Sequence, residues 1–300
     1  MSLPAAIEYA LCEVGIAGRV ATMSPLTGGC IHRVDEITLD DGTTLVVKSN
    51  TADHLGLFRE EAASLRVLER TGTVLVPVPL AVVGRGGVAV LLMRAIRSGR
   101  GTPEAWQRLG RDLAALHLDN PDPPPAGYGF SVDNHLGTTL QPNAWCDDWV
   151  RFNAENRLGH QLELARRRDR LQSSEAAGVQ RVIAKLGMLI PAAPKPALIH
   201  GDLWSGNAIA AVDGRGAERI ALIDPACSIG DGWADIAMMR LFGGFPPDCF
   251  TAYASMIDDH DRLESRIAVY QLYHVLNHVN LFGHGYVEKA MGLVNRLVGE

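Results

Sequence analysis

The chain has 300 residues, of which 47% are hydrophobic and 21% charged, and its formal net charge is −6. This composition excludes a disordered chain and allows a large core, in two domains or one two-lobed fold. The acidic balance argues against nucleic acid or an anionic membrane as partner, because both attract basic surfaces. Five scattered cysteines suit a reducing compartment, and the N-terminus lacks a signal-peptide pattern, so we expect a cytoplasmic protein.

The first third of the chain predicts a small antiparallel sheet with few helices. A short helix at 4–17 is followed by five strand patterns, with an Asp-Gly hairpin signal at 41–42. The bend after the first strand contains Gly28, Gly29 and Cys30. Glycines there would let backbone N–H groups approach a phosphate, and an ordinary turn is the alternative.

A lysine and a glutamate in this region predict an ion pair. Lys48 ends the third strand pattern, either as a solvated edge residue or as a lysine that holds phosphate. In the helix predicted over 58–70, Glu61 shares its face with the apolar Leu65 and Leu68. Because a carboxylate on an inward face needs a cation, we expect Glu61 to pair with Lys48.

The composition becomes polar and glycine-rich after Met93, and we place a domain boundary there. The expected division is an N-lobe at 1–93 and a C-lobe at 94–300. Helical spacing of apolar residues then predicts three helices before the most informative stretch of the chain, at 103–118, 146–171 and 174–190.

The stretch 198–224, LIHGDLWSGNAIAAVDGRGAERIALID, carries the chemistry. It contains His-Gly-Asp ending at Asp202, an asparagine five residues later at Asn207, and an apolar strand pattern that ends at Asp224. The Asp-Gly turn at 213–214 predicts that this last strand pairs with the apolar segment after Asn207. The spacing is that of a kinase catalytic loop, in which the first carboxylate takes the proton of the attacking hydroxyl. The asparagine and the second carboxylate hold metal on ATP there. We expect these groups to converge with Lys48 on one metal-bound triphosphate.

Polar residues near the C-terminus have structural and functional interpretations. Asp231 predicts an N-cap for a helix at 232–241. On that helix, Asp235 would bond the backbone of the catalytic loop or simply stabilise the helix dipole. A later helix carries three polar residues on an apolar stripe, which are either bonded core groups or a wall of the acceptor pocket: His274, Asn277 and His278.

Together these motifs resemble the fructosamine kinases, also called ketosamine-3-kinases, which are related to aminoglycoside phosphotransferases and choline kinases. The resemblance covers most of the chain and rests on TGGCIHRV, FREEAASL, LGRDLAALHL, HGDLWSGN, DPA, FGGF and YQLYHVLNH. It implies an α+β, two-lobed protein-kinase-like fold, with a five-stranded antiparallel N-lobe sheet and one helix, and a larger, mainly helical C-lobe. It also implies phosphorylation of the sugar 3-hydroxyl of ketosamines, with ATP and Mg²⁺ as cofactors. The acceptors would be fructosamine, ribulosamine or erythrulosamine adducts of amines or protein lysines, and the result is protein deglycation.

The resemblance also assigns roles to residues. Asp202 matches the catalytic base, Lys48 and Glu61 the ion pair, and Asn207 and Asp224 the metal ligands. The residues that it implies for nucleotide binding are Gly28, Gly29, Cys30, Lys48, Met93 and Ala95. The residues expected to contact substrate are Trp204, Asp231, His274, Asn277 and His278. Arg94 stands where many relatives have glutamate beside the adenine. We expect a monomer, with a redox-linked dimer through Cys30 as the alternative.

Three other functions compete with this interpretation. The nearest is a small-molecule kinase of the same superfamily, acting on an aminoglycoside or choline. A non-catalytic nucleotide-binding module is the second, and the presence of all four kinase residues, Lys48, Asp202, Asn207 and Asp224, argues against it. A hydrolase built on Ser205 and His200 is the third, and the G-x-S-x-G elbow that it needs is missing.

Overall fold

The computed structural model describes residues 2–26, 32–119 and 126–299. The chain divides into two compact units, the first formed by 1–106 and 206–225 and the second by 107–205 and 226–300. The second segment of the first unit, 206–225, comes from the middle of the region that sequence analysis assigned to the C-lobe. The division into lobes at residue 93 stays a prediction.

A five-stranded antiparallel sheet in the order β1-β2-β3-β5-β4 dominates the first unit. Its strands are β1 (Val20–Pro25), β2 (Arg33–Leu39), β3 (Thr44–Thr51), β4 (Pro79–Arg85) and β5 (Val88–Arg94). The Asp-Gly pair turns β2 into β3 as predicted, with Gly42 at a φ of 85° that glycine adopts without strain. All five predicted strands are therefore present.

The two faces of the middle strand, β3, have different neighbours. Helix α1 (Leu3–Glu13) forms a core cluster with one face, which includes Leu45 and Val47. Successive side chains of a strand point to opposite faces, so Lys48 lies on the face away from that cluster. Helix α2 (Leu55–Thr71) supplies the partner of Lys48.

A hairpin completes the first unit. Its strands β10 (Ala208–Val212) and β11 (Glu218–Leu222) pair from Ala208 with Leu222 to Val212 with Glu218, and β6 (Arg97–Ser98) pairs with the other edge of β10. Asp213 closes the turn by accepting hydrogen bonds from the N–H groups of Arg215 and Ala217 at 2.9 and 3.0 Å. The turn that the sequence predicted at Asp213 thus fixes the register of the strands.

The second unit is mainly helical. Its helices are α3 (Pro103–Leu118, which begins in the first unit), α4 (Trp149–Phe152), α5 (His160–Arg167), α6 (Ser173–Leu189), α7 (Trp233–Phe242), α8 (Pro247–Ala254), α9 (Leu263–Phe282) and α10 (Val287–Val298). A π-helical segment, Asn153–Gly159, joins α4 to α5. Two short sheets pair β9 (Pro196–Ile199) with β12 (Ser228–Asp231), and β7 (Asn134–Leu136) with β8 (Thr139–Gln141).

Helix α9 is the buried centre of the second unit. Most of its residues from 266 to 280 are buried, and it packs against α5, α7 and α10. A helix buried on nearly all sides must satisfy each polar side chain inside the protein. In the described ranges, no helix combines the length and apolar character needed to span a bilayer.

Candidate active site

The first group of candidate residues is a cluster of three charged side chains in the first unit. Lys48 is buried, and its Nζ lies 2.7 Å from Oε1 of Glu61. The same ammonium group forms an ion pair with Asp224. The Lys48–Glu61 pair predicted from the sequence is thus present, while the binding of phosphate by Lys48 stays a prediction.

The local structure explains why these groups meet. Lys48 pairs in register with Val34 on β2 and Leu91 on β5, so it is fixed from both sides by the sheet. On α2, Leu65 and Leu68 are fully buried and orient the face that carries Glu61. Burial would lower the pKa of Lys48, but the two carboxylates outweigh it and raise that pKa. Lys48 is therefore cationic at any physiological pH.

The hairpin brings the two predicted metal ligands to its open end. The N–H of Ile223 donates to the backbone carbonyl of Asn207 at 3.0 Å, so Asn207 lies beside the residue that precedes Asp224. Asp224 has a φ of 55°, a left-handed conformation that aspartate tolerates and that is common at functional sites. Its side chain is 42% exposed, whereas Asn207 is buried.

The donor set at this end of the hairpin fits magnesium. Mg²⁺ is usually bound by one or two carboxylates, and its remaining oxygen ligands come from phosphates and water. Asp224 offers a partly exposed carboxylate, and the side chain of Asn207 offers an amide oxygen. These residues can hold a Mg²⁺ ion that also binds a nucleotide.

The second group of candidate residues lies on the predicted catalytic loop of the second unit, which is anchored by Asp235. The backbone N–H groups of His200 and Gly201 donate to the two carboxylate oxygens of Asp235, at 2.7 and 2.9 Å. Gly201 has a φ of 84°, and a Cβ at this position would lie 2.1 Å from the carbonyl oxygen of Ala226. Only glycine fits there, and the predicted bond between Asp235 and the loop backbone is confirmed.

His117 is a functional neighbour that the sequence did not reveal. Its Nε2 lies 3.2 Å from Asp235, and its Nδ1 lies 2.9 Å from the hydroxyl of Tyr253. Burial would raise the pKa of Asp235, but His117 and the loop N–H groups lower it overall. The anchoring carboxylate is therefore ionised. Because 118 residues separate His117 from Asp235, no local pattern could have shown the pair.

The anchored loop presents Asp202 and Trp204 differently from the residue between them. Leu203 is fully buried, whereas Asp202 is half-buried and Trp204 is 37% exposed. The N–H of Trp204 donates to the backbone carbonyl of Asp202 at 3.1 Å, which tightens the turn. A half-buried carboxylate with an exposed ring beside it suits a base next to an acceptor, and both roles stay predictions.

The predicted nucleotide-binding residues have unequal structural support. Gly28, Gly29 and Cys30 lie outside the described residues. Met93 is buried on β5, opposite Val46 of β3, so its side chain belongs to the core. Ala95 follows β5 and is half-buried. A role for the backbone of 93–95 in binding adenine stays a prediction.

One residue predicted to contact substrate lies in a structural setting instead. Asp231 is buried, and one of its oxygens bonds both Arg266 and the hydroxyl of Tyr270. Its other oxygen accepts from the N–H of Trp233, the first residue of α7, at 3.0 Å. The helix begins one residue later than predicted, so Gly232 and not Asp231 is its N-cap. With both oxygens engaged inside the protein, Asp231 is not available to substrate, and we infer a packing role.

The three polar residues of α9 also divide. Asn277 is buried and donates to the carbonyl of Leu136 at 3.3 Å, which is the setting of a bonded core group. His274 is buried and lines a small cavity of about 30 Å³, partly open to solvent, together with Gly201 and Asp235. His278 alone is half-buried, with ring neighbours at the surface. Asn277 is bonded inside the protein and His274 lines a cavity, so substrate contact by His274, Asn277 and His278 stays a prediction.

Comparison with known proteins identifies the family of the chain. Residues 6–300 match the fructosamine kinase family. The chain belongs to this family. It is 38% identical over 278 residues to a probable ketoamine kinase of Synechocystis sp., an alignment covering 93% of this chain and 90% of the relative. It is also 36% identical over 293 residues to the chloroplastic protein-ribulosamine 3-kinase of Oryza sativa subsp. indica, covering 96% of this chain and 82% of the relative.

Solved structures of fructosamine kinases agree with this assignment. The chain matches the crystal structure of a putative fructosamine-3-kinase from Haemophilus somnus 129PT, with a TM-score of 0.87 at 27% identity. The match covers 98% of this chain and 97% of that one. The predicted α+β, two-lobed protein-kinase-like fold is confirmed, as is a phosphotransferase that acts on a sugar hydroxyl and uses ATP. The aminoglycoside-kinase, choline-kinase, binding-module and hydrolase alternatives are therefore set aside.

Proposed function

We propose that this fructosamine kinase transfers the γ-phosphoryl group of ATP to the sugar 3-hydroxyl of ketosamines, including those formed on protein lysines. The observation that carries the proposal is a complete set of kinase groups in a chain of this family. The first unit holds the cluster of Lys48, Glu61 and Asp224, and the second holds Asp202 on its anchored loop. The names of the cyanobacterial and rice relatives, a ketoamine kinase and a ribulosamine 3-kinase, point to the same acceptor class.

The residues of the chain supply positioning and charge. Asp202 accepts the proton of the sugar 3-hydroxyl while the oxygen of that hydroxyl bonds to the γ-phosphorus of ATP. The bond between the γ-phosphorus and the bridging oxygen breaks, and ADP leaves. Lys48, oriented by Glu61, binds phosphate oxygens of ATP. Asn207 and Asp224 hold Mg²⁺, which supplies charge neutralisation on the phosphates when bound.

The product explains the link to deglycation. Phosphate is a better leaving group than hydroxide, so a 3-phosphorylated ketoamine decomposes where the parent adduct persists. Its decomposition frees the amine. In this proposal the enzyme therefore makes a glycation adduct labile and leaves the later bond breaking to the chemistry of its product.

An acceptor panel tests the reaction. ATP consumption is measured with fructosamine, ribulosamine and erythrulosamine adducts of one amine, alongside an aminoglycoside and choline, and the phosphorylated carbon is located by NMR. We expect turnover of the ketosamines with phosphate on the 3-oxygen. Faster turnover of the aminoglycoside or choline, or phosphate on another oxygen, would overturn the proposal.

The metal role of Asp224 has a test that does not depend on turnover. Asp224→Ala removes the partly exposed carboxylate, and we expect calorimetry to show the loss of the Mg²⁺-dependent part of ATP binding. Exchange of Glu163, a partly exposed carboxylate of α5 in the second unit, for alanine serves as the matched charge deletion. Magnesium-dependent binding that survives Asp224→Ala at wild-type strength would remove Asp224 from the metal site.

A further inference from the structure

An exposed aromatic cluster lies at the ends of helices α7 and α9. We call Phe242, His278, Phe282 and Tyr286 the aromatic patch. The ring centroid of His278 lies 4.9 Å from those of Phe242 and Tyr286 and 5.5 Å from that of Phe282. Phe282 is 66% exposed and Phe242 is 37% exposed. Large contiguous rings left in water usually mark a binding surface.

The aromatic patch adjoins the catalytic loop. Phe242 is followed by Gly243 and Gly244, both in the left-handed region, and a Cβ on Gly244 would lie 2.5 Å from Cβ of Ser205. The turn after Phe242 therefore packs against Ser205, the residue that follows the exposed Trp204. This contact connects the patch to the loop that carries Asp202.

Helix α9 also connects the catalytic loop with the aromatic patch. Tyr273 lines the same cavity as Gly201, the residue that precedes Asp202. His278 and Phe282 follow Tyr273 by five and nine residues, about 7 and 14 Å along the helix axis. The patch thus extends away from the position of the predicted base.

One side chain of the protein shows what the patch can bind. Nζ of Lys289 lies 4.7 Å from the ring centroid of Phe242 and donates to the carbonyl of Leu241 at 3.0 Å. Among the residues that the structure describes, this ammonium has no carboxylate partner. The face of Phe242 therefore already carries a lysine ammonium, in the geometry of a cation–π contact.

His278 offers a hydrogen-bond acceptor in the middle of the patch. Its Nδ1 lies 2.8 Å from the backbone carbonyl of His274 and must donate to it, because a carbonyl only accepts. Burial lowers the pKa of His278, so the ring is neutral at pH 7 and does not repel a cation. The lone pair on Nε2 can then accept a hydrogen bond from an ammonium group.

We propose that the aromatic patch binds the amine arm of the acceptor, the protonated amine and methylene chain of a glycated lysine, while the sugar lies at the catalytic loop. In a ketosamine, four bonds separate the 3-oxygen from the amine nitrogen, about 5 Å. The lysine chain continues outward from that nitrogen, as the patch continues outward from Tyr273. This assignment rests on the proposed function and adds a determinant of preference for lysine-borne adducts.

Phe282 gives the sharpest test because its exposure makes truncation harmless to folding. The acceptors are one sugar carried as a ketosamine on Nα-acetyl-lysine methylamide and on methylamine. Phe282 is the patch residue of α9 furthest from Tyr273 along the helix axis, so it would contact the methylene chain rather than the amine. For Phe282→Ala we expect KM for the lysine ketosamine to rise about threefold to tenfold, with kcat unchanged and no change in KM for the methylamine ketosamine, which lacks that chain. Phe282→Tyr keeps the ring and should restore the wild-type KM. Met188→Ala truncates a residue of α6 that is 75% exposed, and should change neither KM.

Lys289 provides a test in the opposite direction. Lys289→Met removes a positive charge from the patch, so we expect KM for the lysine ketosamine to fall about twofold to threefold at low ionic strength. The gain should disappear at 1 M salt. A rise in KM at both salt concentrations would contradict cation binding at the patch.

The outcomes separate this inference from the proposed function. If the wild type uses both ketosamines and Phe282→Ala changes the two KM values equally or not at all, the patch is not the amine subsite. If the wild type uses neither ketosamine, the proposed function fails. Saturation-transfer NMR with unglycated Nα-acetyl-lysine methylamide then decides on the patch: binding lost in Phe282→Ala supports it, and equal binding in both proteins overturns it.

Discussion

The charge cluster of the first unit and the loop anchor of the second unit stabilise buried carboxylates in different ways. In the first unit, the charge of Glu61 is balanced by an opposite charge, the ammonium of Lys48, which also pairs with Asp224. In the second unit, Asp235 is balanced by the N–H groups of His200 and Gly201 and by His117. A charge cluster can exchange a carboxylate for a phosphate, whereas a carboxylate bonded to backbone fixes the shape of a loop. The first arrangement suits ligand binding and the second suits positioning.

The largest effect should come from Asp202, which lies on the loop that Asp235 anchors. Asp202→Asn removes the proton acceptor and keeps the size of the side chain, so we expect kcat to fall at least about a hundredfold. The side chain is half-buried and the amide keeps its hydrogen-bonding capacity, so the midpoint of urea unfolding should change little. Turnover near the wild-type rate would remove Asp202 from catalysis.

Removing the shared cation tests the charge cluster. Lys48→Met leaves Glu61 buried without its counter-charge, which should cost about 3 kcal/mol of unfolding free energy at pH 7. The partly exposed Asp224 contributes less, because water can solvate it. Burial raises the pKa of Glu61, so protonation relieves the variant and its deficit should shrink when urea unfolding is repeated at pH 5.

Glu61→Gln is the matched control for that experiment. It retains an acceptor oxygen and leaves Lys48 paired with Asp224, so the loss should be about 1 kcal/mol. A deficit for Lys48→Met that is no larger than that of Glu61→Gln would show that charge balance does not stabilise this cluster.

Substitution of Asp235, which anchors the catalytic loop, should act by displacing the loop rather than by removing a charge that binds ligand. Asp235→Asn replaces one acceptor oxygen with an NH₂ group, leaves one loop N–H unpaired and should cost about 2 kcal/mol of unfolding free energy. We also expect a lower kcat with little change in ATP affinity, because the charge cluster in the first unit is untouched. Both quantities can be measured by urea unfolding and initial rates.

Asp231→Asn controls for stability loss alone in the second unit. It weakens the buried pair with Arg266 and leaves the catalytic loop bonded to Asp235. Its unfolding free energy should fall while kcat stays near the wild-type value. Equal losses of kcat in Asp231→Asn and Asp235→Asn would contradict the anchoring role of Asp235.

Local patterns predicted the parts of the site whose partners are close in sequence. The helical spacing of Glu61, Leu65 and Leu68 predicted the inward face of α2, and 13 residues separate Glu61 from Lys48. The hairpin that places Asn207 beside Asp224 followed from an Asp-Gly turn. In each case a short-range rule of helix or turn geometry was enough.

Contacts between distant residues were beyond such rules. A bond from Asp231 to the start of α7 was predictable, although the N-cap itself is Gly232. The partner of its second oxygen, Arg266, lies 35 residues away. Its burial changed the interpretation of Asp231 from substrate contact to packing. The π-helical segment at 153–159, within a predicted helix, has the same origin, since local propensity does not distinguish one helical hydrogen-bond pattern from another.

A last effect, which should appear only as the pH falls, comes from His274, which neither arrangement uses. Its Nδ1 is buried without a hydrogen-bond partner in the described structure, and burial lowers its pKa from 6.5 to about 3. The unfolded chain therefore binds a proton in the pH range where the folded protein does not, between about 6.5 and 3. The stability from the neutral ring is complete above 6.5 and is lost as the pH falls, by about 2 kcal/mol at pH 5. His274→Gln should lose less unfolding free energy between pH 7 and pH 5 than the wild type in urea titrations. Identical losses would mean that His274 does not carry this pH dependence.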